Sequence, residues 1–155
     1  MINPLPEGSQ PLIPYMVMHD CAKAMDFYKN VFLAEEVMRM PSPDGKKIMH
    51  AEMRISGCMV YMGDECPQQG AKSPKGAKHR SVTMTLYCLD AEKVFQRAVN
   101  HGAKVVKDME LQFWGDKMGS LIDPFGHQWT LMQRVEELSP EEIQKRGEKA
   151  MAAMA

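Results

Sequence analysis

The feature that most constrains this chain is an internal repeat. The stretch Ile122-Asp123-Pro124-Phe125-Gly126-His127-Gln128-Trp129-Thr130-Leu131 places a turn sequence between two runs of strand-forming residues. Proline fixes φ early in such a turn and glycine accepts the left-handed conformation at its end, so the stretch predicts a β-hairpin. A fainter copy, Met53-Arg54-Ile55-Ser56-Gly57-Cys58-Met59-Val60-Tyr61-Met62, puts Gly57 69 positions before Gly126. Asp20 and Asp90, each suited to cap a helix, stand 70 positions apart. The halves keep register within one residue, so the chain is expected to build one unit twice.

Each half reads in the same order. Leu12 to His19 predicts a strand, and Asp20 caps a helix with Cys21, Ala24, Met25, Tyr28, Val31 and Phe32 on one stripe. Glu36 to Met40 is a second strand, followed by the turn Pro41-Ser42-Pro43-Asp44-Gly45 and the strands Ile48 to Ile55 and Cys58 to Met62. The second half repeats this with Ser81 to Leu89, a helix from Asp90 carrying Ala91, Val94, Phe95 and Ala98, and Gly102 as its C-terminal stop. Ala103 to Met109 supplies a strand, Leu111 to Gly119 a longer loop containing Trp114, and the closing hairpin comes last. The expected fold class is α+β: a lead-in over 1–11, a βαβββ module over 12–63, a linker over 64–79, a second βαβββ module over 80–135 and a C-terminal helix within 136–155. Ser139-Pro140-Glu141-Glu142 starts that helix as a capping box with proline in the first turn, and Ile143 is its main apolar residue.

Composition narrows the partners. A net charge of −1 over 155 residues gives no field for gathering nucleic acid or an acidic membrane. Lys72, Lys75, Lys78 and Arg80 lie among Gly, Pro and Ser and read as a solvated linker. The four cysteines form no C-x-x-C pair, and the N-terminus lacks the basic start and apolar run of a signal peptide, so the expected location is the cytoplasm. No window approaches the ~18 apolar residues of a membrane span. Sixteen methionines at alternating or helical spacing read as core filler. There is no phosphate-cradling glycine loop, G-x-S-x-G turn or H-E-x-x-H.

Two βαβββ modules, with Asp20 and Phe27-Tyr28 after the first strand and Asp123-Pro124-Phe125-Gly126-His127-Gln128-Trp129 at the end, resemble the vicinal oxygen chelate superfamily. That group holds glyoxalase I, extradiol dioxygenases, fosfomycin-resistance enzymes and bleomycin-binding proteins. Pro14-Tyr15, His50-Ala51-Glu52, Phe113-Trp114-Gly115-Asp116 and Gly126-His127-Gln128-Trp129 are similar to its PhnB-type branch. The resemblance spans roughly residues 11–135. It implies curved, open mixed sheets with helices on the convex side, a ligand cavity on the concave side, and pairing of modules within a chain or between chains, hence a homodimer. Chelating members carry metal ligands seven residues before each helix-opening Asp and four after each hairpin glycine. Here those positions hold Ile13, Thr83, Tyr61 and Thr130, none a usual divalent-metal ligand, so no metal and no cofactor is expected.

Strand alternation suggests what lines the cavity instead. Met49, Ala51, Met53 and Ile55 form one face of the third strand, which leaves His50, Glu52 and Arg54 on the other. A histidine beside a carboxylate can move a proton, with His50 as general acid/base and Glu52 orienting it; the same pattern also describes a plain polar strand face. Thr83, Thr85 and Tyr87 put hydroxyls on the equivalent side of the second module. Tyr15, Tyr61, Thr83, Thr85, Gln128 and Thr130 are the candidate lining, and Trp114 is either a lid or a residue closing the sheet edge. Apolar surface with a few placed polar groups suits a small organic molecule. Trp129 is expected in the core, His127 as a turn brace, and Cys88 as a buried small hydrophobe. Two function classes follow: a glyoxalase-like or PhnB-like protein that binds a drug or metabolite without a metal site, or an enzyme of the lyase or isomerase kind using His50.

Overall fold

In the computed structural model, which describes residues 1–155, the chain divides into two units. Met1–His79 with Pro124–Gly126 forms the first, and Arg80–Asp123 with His127–Ala155 the second.

The first unit runs β1 (Tyr15–Met18), α1 (Cys21–Phe32), β2 (Glu35–Pro41), β3 (Ile48–Ile55) and β4 (Cys58–Asp64), with sheet order β1-β4-β3-β2. The Asp20 carboxylate accepts from the Lys23 amide at 3.2 Å and so satisfies one of the open N–H groups at the start of α1. The stripe from Cys21 to Phe32 is buried as its spacing predicts, and Tyr28 stacks on Phe32 at 5.9 Å. Phe125 belongs to this unit and meets Phe27 and Tyr28 edge-on.

β1 is shorter than the expected Leu12 to His19. The Pro14 carbonyl still accepts from Tyr61 N at 2.9 Å, but the strand stops there, as Pro11 and Pro14 have no N–H to extend a ladder. Upstream, a side chain replaces the missing backbone: the Gln10 amide donates to Met59 O at 2.7 Å and accepts from Met59 N at 3.0 Å. Arg54 reaches from β3 to the Gly8 carbonyl, so the lead-in is tied to the sheet at two points.

The alternation of β3 holds for Ala51, Met53 and Ile55, which are buried, and fails at Met49, which is 56% exposed. Met40 pairs with His50 but Pro41 with Ile48, so Met49 is an extra residue facing no partner on β2. Such a β-bulge resets the phase, burying Ile48 and turning Met49 out.

The second unit runs β5 (Thr83–Tyr87), α2 (Ala91–Asn100), β6 (Lys104–Leu111), β7 (Asp116–Ile122), β8 (Gln128–Arg134) and α3 (Pro140–Met154), with order β5-β8-β7-β6. Both sheets combine one parallel pairing, β1 with β4 and β5 with β8, with antiparallel ones. Asp90 caps α2 as Asp20 caps α1, accepting from Lys93 N at 3.2 Å. The stretch Leu111 to Gly119 is not one loop. Gln112–Gly115 closes a tight turn, with Gly115 at φ +97° donating to the Gln112 carbonyl, and β7 begins at Asp116. Ser139 accepts from Glu142 N and caps α3, but the buried position of that helix is Gly147, not its first turn. A Cβ at Gly147 would stand 3.0 Å from the Phe113 ring, so the missing side chain lets the helix lie on it. No helix is long and apolar enough to cross a membrane.

Candidate functional site

Each sheet has one face covered by its helix and one open face, and the polar candidates gather on the open ones. On sheet 1, Tyr15 is paired with Tyr61 across β1 and β4, and Tyr61 with Glu52 across β4 and β3. His50 and Glu52, two apart on β3, project to the same side, and His50 Nε2 lies 3.2 Å from Glu52 Oε1. The Tyr15 hydroxyl crosses β4 to reach His50 Nδ1 at 3.3 Å and the Met49 carbonyl at 3.5 Å. Tyr61 stands edge-on to both rings, 5.0 Å from His50 and 6.4 Å from Tyr15. Both imidazole nitrogens are therefore engaged, one by a phenol and one by a carboxylate.

What lets the phenol cross β4 is Gly63. A Cβ there would lie 2.9 Å from the Tyr15 hydroxyl and 2.8 Å from the Met49 carbonyl. Burial pushes the Tyr15 phenol up from its ordinary value, and the neighbouring Cys21 adds to this, so the group keeps its proton at neutral pH.

On sheet 2, Thr83 pairs with Gln128 and Thr85 with Thr130, so four candidates share one open face. Thr130 Oγ1 lies 3.0 Å from Ser120 Oγ on β7. At the end of this face Asp116, only 5% exposed, accepts on one oxygen from Tyr87 Oη at 2.8 Å and from Trp114 Nε1 at 3.0 Å. The carboxylate's hydrogen bond raises the Tyr87 phenol above its usual value, with burial adding to it. Trp114 is thus fixed by its indole N–H and by an edge-on contact with Phe113 at 5.0 Å.

The remaining residues take supporting roles. Trp129 is buried and donates to Asp123 Oδ2, while the Asp123 carboxylate also receives the His127 amide at 3.0 Å, bracing the turn through the backbone. The Cys21 thiol is pushed up to about 12, by burial first and then by Asp64, and burial also raises Cys88. Neither has the lowered value of a nucleophilic thiol.

The positions at which the resemblance implies cation ligands hold Ile13, Tyr61, Thr83 and Thr130, and no group of three or more His, Cys, Asp or Glu side chains is placed to hold a metal ion. That donor set does not fit a chelated divalent ion. Among the sequence candidates, the structure brings Tyr15, His50, Glu52 and Tyr61 together on one sheet and Thr83, Thr85, Gln128 and Thr130 on the other. Gly63, Asp116 and Ser120 were not among them. Alternation along β7 would have marked Asp116 and Ser120 had that strand been recognised, whereas nothing local marks Gly63.

A family model described as the Glyoxalase/Bleomycin resistance protein/Dioxygenase superfamily matches residues 15–131. An uncharacterized protein of Mycobacterium tuberculosis is 46% identical over 136 residues, covering 86% of this chain and 79% of the relative. The crystal structure of TioX from Micromonospora superposes with a TM-score of 0.64 at 20% identity, over 82% of this chain and 100% of that one. The PhnB protein of Bacillus cereus gives 0.63 at 18% identity, over 80% and 99%. The two structural likenesses speak for the fold alone.

Proposed function

This chain belongs to the glyoxalase/bleomycin resistance protein/dioxygenase superfamily, and from that premise we propose that it binds a small organic molecule on the open face of its sheets, without the divalent-metal site of the chelating members. The observation that carries this reading is the Tyr15–His50–Glu52–Tyr61 cluster. Two phenol rings and an imidazole supply apolar contact area, and the Tyr15 hydroxyl, the His50 imidazole and the Glu52 carboxylate form a hydrogen-bonded path with steps of 3.3 and 3.2 Å. Placed polar groups within an aromatic surface are what a small-molecule site needs. A thermal-shift screen of small aromatics and antibiotics, repeated with His50→Ala, tests it. Hits that lose their shift in the variant support the site, and hits that keep it unchanged remove His50 from binding.

A second reading, an enzyme with His50 as acid/base and Glu52 as its orienting partner, is favoured by the 3.2 Å contact between them. Native mass spectrometry with metal analysis separates the two. Stoichiometric zinc, nickel, manganese or iron with turnover of a thiohemiacetal or catechol would overturn the metal-free binding reading. The proposal includes a cytoplasmic homodimer; light scattering at the 17.5 kDa of one chain would remove the dimer.

A further inference from the structure

We propose that the open face of sheet 1 is a site for a molecule that presents a hydrogen-bond donor — an ammonium, amide N–H or hydroxyl — with the Tyr15 phenol oxygen as the receiving atom and Gly63 as the residue that positions it. The inference rests on the reading of that face as a ligand surface and adds the chemistry it selects.

Glu52 is an acceptor, so a neutral His50 carries its proton on Nε2, where it faces the carboxylate at 3.2 Å. Nδ1 is then a lone pair, and the Tyr15 hydroxyl donates to it across 3.3 Å. The phenol oxygen has no second proton to offer, only lone pairs. Protonating His50 does not change this. Nδ1–H then donates to the phenol oxygen, and the hydroxyl proton has the Met49 carbonyl 3.5 Å away as its acceptor. In both states the proton of Tyr15 is taken up inside the cluster.

The other polar groups of these rows point the same way. Glu52 can only accept. Arg54, the permanent cation of this face, is bound to the Gly8 carbonyl. The cationic Arg39 pairs with Ala51 on the helix-covered side, where it bonds Glu36. Tyr61 can donate or accept and does not discriminate. The surface is weighted toward acceptors, and flanking aromatic rings add attraction for a cation. Gly63 keeps Tyr15 in this role, because a Cβ would meet both acceptor atoms of the arrangement, the phenol oxygen and the Met49 carbonyl, inside 3 Å.

Benzylamine, benzyl alcohol and benzoate share a ring and differ in the polar group, and side-chain NMR of Tyr15, His50 and Tyr61 reads their binding. Benzylammonium and benzyl alcohol should shift these resonances at concentrations where benzoate does not. Tyr15→Phe should weaken the two donors by about two- to fivefold, the loss of one hydrogen bond. Gly63→Ala should give the same loss alone and no further loss on top of Tyr15→Phe. Should Gly63→Ala fail to fold, Tyr15→Phe and the three probes still decide. Benzoate binding as well as the donors would overturn the selectivity while leaving the face a ligand site. A Gly63→Ala effect that persists undiminished in Tyr15→Phe would overturn the positioning role. Silence from all three probes on sheet 1, with screening hits that shift only other residues, would remove the binding reading itself.

Discussion

The two open faces share a backbone and differ in almost every side chain. Tyr15 opposite Tyr61 on sheet 1 corresponds to Thr85 opposite Thr130 on sheet 2. Glu52 beside Tyr61 corresponds to Ser120 beside Thr130, and Val17 opposite Gly63 to Tyr87 opposite Met132. Sheet 1 leaves a gap where sheet 2 has a buried methionine, and a phenol from the neighbouring strand lies across that gap. Sheet 2 makes its contacts locally instead, through a hydroxyl pair and through Asp116 holding Tyr87 and Trp114. A duplicated scaffold thus fixes where side chains can meet, and residue size at one position decides whether a contact can pass over a strand.

The two units differ most at their helices. α1 anchors its unit with Tyr28, fully buried, where α2 has only Ala98 at the matching place. Tyr28→Ala should cost about 3–5 kcal/mol in denaturant unfolding, whereas Phe95→Ala, half-buried on α2, should cost roughly 1–2 kcal/mol. Equal losses would mean that the two helices are anchored alike. Next comes Gly63→Met, which gives sheet 1 the residue of sheet 2. Overpacking against the Met49 carbonyl should cost about 1–3 kcal/mol, and the contact of Tyr15 with His50 should vanish from the NMR spectrum. Ser120→Ala removes one partner of the hydroxyl pair and should cost about 1 kcal/mol, a loss that Thr130→Val made in the same chain should not double.

The smallest effect is a pH dependence confined to the first unit. Hydrogen bonds from Arg39 and then Lys29 lower the Glu36 carboxyl from 4.5 to about 2. A depressed folded value stabilises above the unfolded one, so the contribution is complete above roughly pH 5 and disappears as the pH falls toward 2. The group is partly exposed, so solvent screening holds it to about 0.5–1 kcal/mol. Unfolding of Glu36→Gln compared with the parent should differ by that much at pH 6 and converge near pH 2. A difference that survives at pH 2 would sink this assignment.

Much of this was legible in the sequence because its causes are local. Asp20 and Asp90 cap helices through a bond three residues long, and Gly57 and Gly126 both take positive φ in their turns. Alternation along β3 was enough to put His50 and Glu52 on one side. Tyr15 joins them only through β1–β4–β3 pairing, whose contacts span 35 residues, and no local pattern encodes that. Gly63 carries no sequence signal of its role, since glycine at the end of a module ordinarily reads as a turn; its use here is an absent side chain inside a strand. Asp116 was hidden because Gly115 lies in the turn just before β7 and Gly119 interrupts the apolar alternation within it. Met49 misled for the opposite reason, since a bulge changes phase without any residue that announces it.

The tether between Arg54 and the Gly8 carbonyl has a consequence for processing of the amino terminus. Trimming the chain ahead of Ser9 would hand a guanidinium back to a surface that otherwise courts donors, reversing its taste from amines to carboxylates without altering a strand. Benzoate titrated into a chain lacking residues 1–8 should then shift the Tyr61 ring; an unmoved resonance would show that the freed arginine turns to solvent instead.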